Sequence, residues 1–252
     1  MDGCVFSSSI LNSDSRTESA PLTKTSVTRH VISLSTATTT TSTQVSQCAS
    51  CTAMDTSTMD ENLLETGDIL VRLGNARGPF GIPFSWLVMK LSRSLYSHAD
   101  LTLLENGTVY VANVGENGTA KITFAAWMKE VQQHRYAFYR VPIADKVRLK
   151  SLIKKLLKED AAYDYTFADP NKHYCVEAVA CVYERAGTRL CDPKPLKDIL
   201  SPMAYWFVVP INWLVKKLTG KGFDMKQPVY FVGNEMIGLL SSPLIVKLYA
   251  RL

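Results

Sequence analysis

Histidine is scarce in this chain. Four occur in 252 residues, at positions 30, 98, 134 and 173, so chemistry that needs an imidazole has few places to find one. Cysteine is nearly as sparse, with Cys4, Cys48, Cys51, Cys175, Cys181 and Cys191. Their uneven spacing does not read as a disulfide framework, and a reducing compartment, the cytoplasm, is expected. No apolar run reaches the roughly 20 uninterrupted residues of a membrane-spanning helix. The Met-Asp-Gly-Cys start lacks the basic and apolar regions of a secretory signal, and Asp2 excludes N-myristoylation, which needs glycine there. A nucleic-acid binder would carry basic and aromatic residues arranged for phosphates and bases, and no such motif occurs.

What is present supports a folded domain behind a polar segment. Hydrophobic residues make up 46% and charged residues 20%, enough to build a core. The apolar residues are not evenly spread. Residues 1–58 are rich in serine and threonine, including the run Thr38 to Thr41. That composition buries too little apolar surface to offset ordering entropy, so disorder is expected to about residue 60 and a single domain over 61–252. Cys48 and Cys51 have CxxC spacing but no second ligand pair nearby. No metal site is expected of them, and no organic cofactor is implied elsewhere. Residues 1–60 hold three basic and five acidic side chains, which leaves a net +7 on the rest.

Along that domain, Gly67 to Leu73 reads as a turn and a short strand, followed by a Gly/Pro-rich loop from Gly74 to Pro83 and a helix over Phe84–Leu95. Tyr96 to Leu104 alternates as a half-buried strand does. Asn106-Gly107 marks a hairpin into a strand over Thr108–Asn113. Ala120–Thr123 adds a strand, Phe124–Gln133 a helix and Arg135–Val141 another strand. Ile143–Lys158 is amphipathic, with Val147, Leu149, Ile153, Leu156 and Leu157 expected to face the core. The last third is strongly apolar over 203–215 and 238–252, interrupted by Pro210, Asn212 and Pro243. Core and lid helices are one reading of it. The other is an interfacial surface with Trp206 and Trp213 among lipid headgroups and Lys216, Lys217 and Lys221 toward phosphate.

The stretch Asn171 to Gly187 organises the rest. Val176, Val179, Ala180 and Tyr183 recur at helical spacing, and Gly187 is a C-terminal stop. Cys175 then falls in the first turn, where unpaired N–H groups and the helix dipole favour a thiolate. A small buried residue is the plainer reading of the same position. A nucleophilic thiol needs a base. His30 lies in the polar segment, His134 in a polar loop, and His173 two residues from Cys175, pointing away. His98, on a strand, is the best base, with a structural histidine as the alternative. Strands with the histidine precede a helix with the cysteine, which gives an α+β domain: an antiparallel sheet with the Cys-bearing helix packed on it.

Four short motifs carry a resemblance. Gly67-Asp-Ile-Leu, Tyr96-Ser-His-Ala, Tyr163-Asp-Tyr-Thr-Phe and Tyr174-Cys-Val-Glu-Ala-Val, in that order, resemble the permuted papain-like amidase family. Its YiiX-like members are related to NlpC-type cysteine peptidases and to lecithin–retinol acyltransferase. The resemblance covers about residues 62–190. It implies a circularly permuted papain-like fold, with Cys175 as nucleophile and His98 as general base and acid. Relatives carry a polar residue, often Glu, near the end of the strand after the histidine. Asn113 stands there, able to accept from the imidazole, or simply a turn-former at a strand end. Tyr163 matches a tyrosine that donates toward the oxyanion, with a packed core tyrosine as the alternative, and Glu177 reads as structural.

The expected protein is therefore a cysteine hydrolase or acyltransferase acting on an amide, ester or thioester. The apolar last third and the basic balance point toward a lipid or lipidated substrate and peripheral membrane contact. A peptide or peptidoglycan amidase and a non-catalytic membrane-binding module that kept the fold are the rival readings.

Overall fold

The computed structural model describes residues 60–74, 84–115, 117–159, 163–164, 167, 172–200, 202–219, 222 and 224–252. The Ser/Thr-rich segment, its CxxC pair and the loop beyond Gly74 lie outside them. One antiparallel sheet dominates, with strands in the order β4-β3-β2-β1-β5-β8. They are β1 (Ile69–Arg72), β2 (His98–Glu105), β3 (Thr108–Gly115), β4 (Gly118–Thr123), β5 (Tyr136–Arg140) and β8 (Val246–Arg251). A short ladder pairs β6 (Lys194–Pro195) with β7 (Pro228–Val229). The helices are α1 (Phe84–Leu91), α2 (Phe124–Val131), α3 (Lys146–Lys158), α4 (Cys175–Arg185), α5 (Leu196–Ile199) and α6 (Pro202–Thr219).

Alternate side chains leave the sheet on opposite faces, and each face has its own core. Ile69, Val71, Ala99, Leu101 and Leu103 pack with Leu149, Ile153, Val179 and Tyr183 of α3 and α4. Leu70, Val111 and Phe138 pack with Phe124, Trp127 and Val131 of α2. The helices are capped as their sequences suggest. Asp145 accepts from the N–H groups of Val147 and Arg148, and Thr123 from that of Ala126. A third cluster, made by Leu196, Ile199, Leu200, Val208, Val229 and Phe231, lies where α5 and α6 meet the β6–β7 ladder.

Two expectations are corrected here. Val147 does not face the core; it is 82% exposed. It lies in the first turn after the Asp145 cap, and Leu149, Ile153 and Leu156 make the buried stripe without it. The final apolar stretch is not helical throughout. Val246–Arg251 is an edge strand paired with β5, and its alternation of Val, Lys, Leu, Tyr, Ala and Arg has the period of a strand.

The buried carboxylate of Asp68 is held by Arg140, with Nε 2.8 Å from Oδ1 and Nη2 2.7 Å from Oδ2, a fork that ties the start of β1 to β5. Beside it Gly67 adopts φ +90°, and a Cβ there would stand 2.6 Å from Leu149 Cδ1 of α3. The Gly67 carbonyl also accepts from the Tyr183 hydroxyl of α4. The glycine that opens the first motif is thus where sheet and both core helices approach most closely. Gly67→Ala is expected to lower the unfolding free energy by roughly 2 kcal/mol, measured by urea denaturation. An unchanged midpoint would contradict this packing.

Candidate active site

Each side chain of the site comes from a different constraint. β2 runs between β1 and β3 with His98 opposite Arg72 and Asp100 opposite Leu70. His98 and Asp100 stand two apart, so the pleat turns both to one face. Cys175 is the first residue of α4, and its N-cap, Tyr174, is extended at φ −111°, ψ 162°. The Tyr174 hydroxyl accepts from the backbone N–H of Tyr230 at 2.6 Å, which anchors the helix start. Cys175 is buried, and the His98 imidazole and the Ala99 backbone N–H act electrostatically on its thiol. The imidazole and the sulfur expected from the sequence are therefore near enough to shift each other's protonation.

The residue that holds the imidazole is Asp100. Its Oδ1 lies 2.9 Å from His98 Nε2, which leaves Nδ1 for the sulfur. Trp127 Nε1 donates to Asp100 Oδ2 at 2.8 Å, and Arg72 Nε stands 3.5 Å from the same oxygen. The carboxylate is fully buried and fully occupied. Asn113 had been expected in this role. It lies within β3 opposite Ala120 rather than at a strand end, and it borders a polar cavity with His98, Arg72, Asn117 and Glu130. A signal for Asp100 was present in the sequence: His-Ala-Asp on a strand sends its first and third side chains to the same side.

The electrostatics favour an ion pair. Burial alone pulls the His98 imidazole down, but the Asp100 charge and then Cys175 pull it up, against Arg72, to about 10. Burial alone raises the Cys175 thiol. The His98 charge, its hydrogen bond and the Ala99 N–H outweigh that and the opposing Asp100 charge, so the thiol lies below its ordinary value. Burial works against Asp100 too, yet His98, Arg72 and Trp127 hold its carboxyl below the usual range. The arrangement can present a thiolate beside an imidazolium at neutral pH, the resting form of a thiol nucleophile with its proton already stored.

Tyr163 stands with its hydroxyl 4.0 Å from Cys175 Sγ. Its backbone bridges to His173, and the Asp164 N–H donates to the His173 carbonyl. His173 itself is buried, with Nδ1 3.6 Å from Glu177 on α4. Neither residue enters the His98–Asp100 chain, consistent with Glu177 as a structural residue. Cys191 is a free thiol like Cys175, raised to about 11, first by burial.

A second cavity is lined in part by Cys175. Val88, Val176, Leu196, Ile199, Val208 and Phe231 line it, and its exposed wall is almost wholly apolar. Tyr163 borders both cavities.

A strand-borne histidine preceding a helix-borne cysteine, joined in a buried charge pair, defines a papain-like thiol hydrolase in permuted order. The comparisons agree. Residues 80–227 match the model of the permuted papain-like amidase enzymes, the YaeF/YiiX, C92 family, and the chain belongs to that family. Among solved structures it is similar to YiiX of Escherichia coli O157:H7, described as a metalloprotein, at TM-score 0.56 and 21% identity. The likeness covers 74% of this chain and 97% of that one, and at this identity it speaks to the fold. No curated protein matches.

Alkylation of Cys175 by iodoacetamide should already be fast at neutral pH, and in His98→Ala the pH profile should move up past the ordinary thiol value of about 8.5, because burial and the Asp100 charge then act without their opponent. As pH rises through about 10 the imidazolium is lost, and with it the part of the folding stability that His98 supplies in full below its unfolded value. Asp100→Asn should lower turnover of a thioester substrate about a thousandfold, and Asn113→Ala less than about tenfold. Equal losses in the two variants would return the orienting role to Asn113.

Proposed function

We propose that this cysteine hydrolase cleaves an amide, ester or thioester whose acyl side is a long apolar chain. The observation that carries the reading is the apolar cavity that Cys175 lines. Such a wall favours methylenes and offers a polar peptide few partners, which speaks against a peptide or peptidoglycan substrate. The lowered Cys175 thiol speaks against a module that merely kept the fold.

In this mechanism the Cys175 thiolate attacks the acyl carbonyl carbon and a C–S bond forms. The oxyanion is met by the Cys175 backbone N–H at the start of α4 and by the Tyr163 hydroxyl. Collapse breaks the bond to the leaving amine, alcohol or thiol, which takes the proton held by His98. His98, oriented by Asp100, then removes a proton from water, and hydroxide releases the acid from the thioester. An alcohol or amine entering by the polar cavity beside His98 would take the acyl group in place of water, which makes transfer a variant of the same cycle. YiiX of E. coli is described as a metalloprotein. Among the described residues of this chain no group of three or more His, Cys, Asp or Glu side chains stands together as ligands, and no step is routed through a metal.

The test is a series of soluble acyl thioesters of increasing chain length. kcat/KM should rise roughly fourfold per methylene, the worth of about 0.8 kcal/mol each, until the cavity is filled. Intact-protein mass spectrometry should find the acyl adduct in wild type and none in Cys175→Ala. Turnover indifferent to chain length, with cleavage of a soluble peptide instead, would overturn the lipid reading. The absence of any Cys175 adduct would overturn the thioester.

A further inference from the structure

α6 is a helix with two different sides. Tyr205, Trp206, Val209, Trp213, Lys216 and Lys217 are all exposed, with Trp206 at 78% and Trp213 at 64%. At 3.6 residues per turn these positions fall on one arc. Val208 and Ile211 project from the opposite side, where they close the apolar cavity beside Cys175. An exposed tryptophan pair is costly to leave in water and is not required by the core, which Val208 already serves.

The composition of the arc identifies its partner. α6 has no acidic residue, so its lysines have no carboxylate on their own helix. Lys217 Nζ stands 5.1 Å from the centre of the Trp213 ring. By contrast, Lys154 and Lys155 on α3 are tied to Glu105 and Glu159. Aromatic rings with a cationic end and no anion suit the headgroup layer of a bilayer, where the rings sit at the interface and lysines meet phosphate. A second protein would more often answer such a surface with carboxylates. Among the described residues no helix is long and apolar enough to cross a membrane, so α6 would lie on one.

We infer that the outer face of α6, through Trp206, Val209, Trp213, Lys216 and Lys217, docks the protein on an anionic lipid bilayer. Because the inner side of the same helix walls the Cys175 cavity with Val208 and Ile211, docking holds that cavity at the membrane surface, close to acyl chains. Docking is independent of the thiol chemistry, whereas the delivery of an acyl chain rests on the proposed function.

Co-sedimentation of the full chain with vesicles tests it, using phosphatidylcholine alone and phosphatidylcholine with phosphatidylserine. The wild type should bind the anionic vesicles and bind the neutral ones weakly. W206S/W213S should reduce anionic-vesicle binding by at least about tenfold. K216Q/K217Q should reduce it about 25-fold, on roughly fivefold per lysine near an anionic leaflet. Both pairs are exposed, so both variants should keep the wild-type melting temperature and turn over a short soluble thioester as wild type does. Cys175→Ala should bind vesicles normally, which separates a failure of docking from a failure of the chemistry. Unchanged binding in either double variant would overturn the inference. So would a dimer in sedimentation that W206S/W213S dissociates, because a second copy would then be the occupant.

Discussion

A buried cation placed between two acids is what the site depends on. The His98 ring is hydrogen-bonded to Asp100 and interacts electrostatically with Cys175, and all three are buried beside a polar cavity. None of the three charges is stable there alone, because each would pay for leaving water. Together they shift one another toward the ionised form. The His98 charge is what lowers the Cys175 thiol, and Asp100, held by Trp127, is what raises the imidazole. The fold is the means of holding these groups together in a buried position.

That need explains which parts of the molecule are rigid. β2 is a central strand, hydrogen-bonded on both edges, so the pair it carries cannot drift. Trp127 belongs at once to the α2 core and to the carboxylate, so packing on the far face of the sheet sets the position of the acid. α4 is locked from its two ends, by Tyr174 to the Tyr230 backbone and by Tyr183 to Gly67. The cavity beside the sulfur is built from α1, α5, α6 and the β7 strand, outside the sheet. Much of the cavity wall thus comes from elements outside the sheet that carries His98 and Asp100, while Cys175 and Val176 of α4 belong to that wall as well.

Much of this was legible in the chain. Period-two alternation located β2 and β3, and the Asn-Gly turn between them is where the hairpin closes, with Asn106 at φ 50° and Gly107 at φ 78°. The Cys175 helix was marked by its apolar spacing, and the four motifs named the family. Asp100 was not singled out, because the resemblance points to a polar residue on the next strand, whereas the hydrogen-bond partner of His98 stands at the alternate position on its own strand. Val147 misled because a first-turn apolar residue counts toward a helical stripe without being on it. The last strand was missed because mean apolarity over 238–252 hid a period of two. Which of the apolar residues of α6 face a cavity and which face outward depends on what packs against the helix, and a sequence does not contain that.

The most direct measurement is the protonation state of the His98 ring at neutral pH, read from its ring-nitrogen chemical shifts in labelled protein. The account predicts a doubly protonated imidazolium in the wild type, losing its proton only as pH approaches about 10, and a lower titration point in Cys175→Ala, where one of the two neighbouring anions is gone. A neutral ring at neutral pH in the wild type, titrating near the ordinary histidine value of about 6.5, would contradict it.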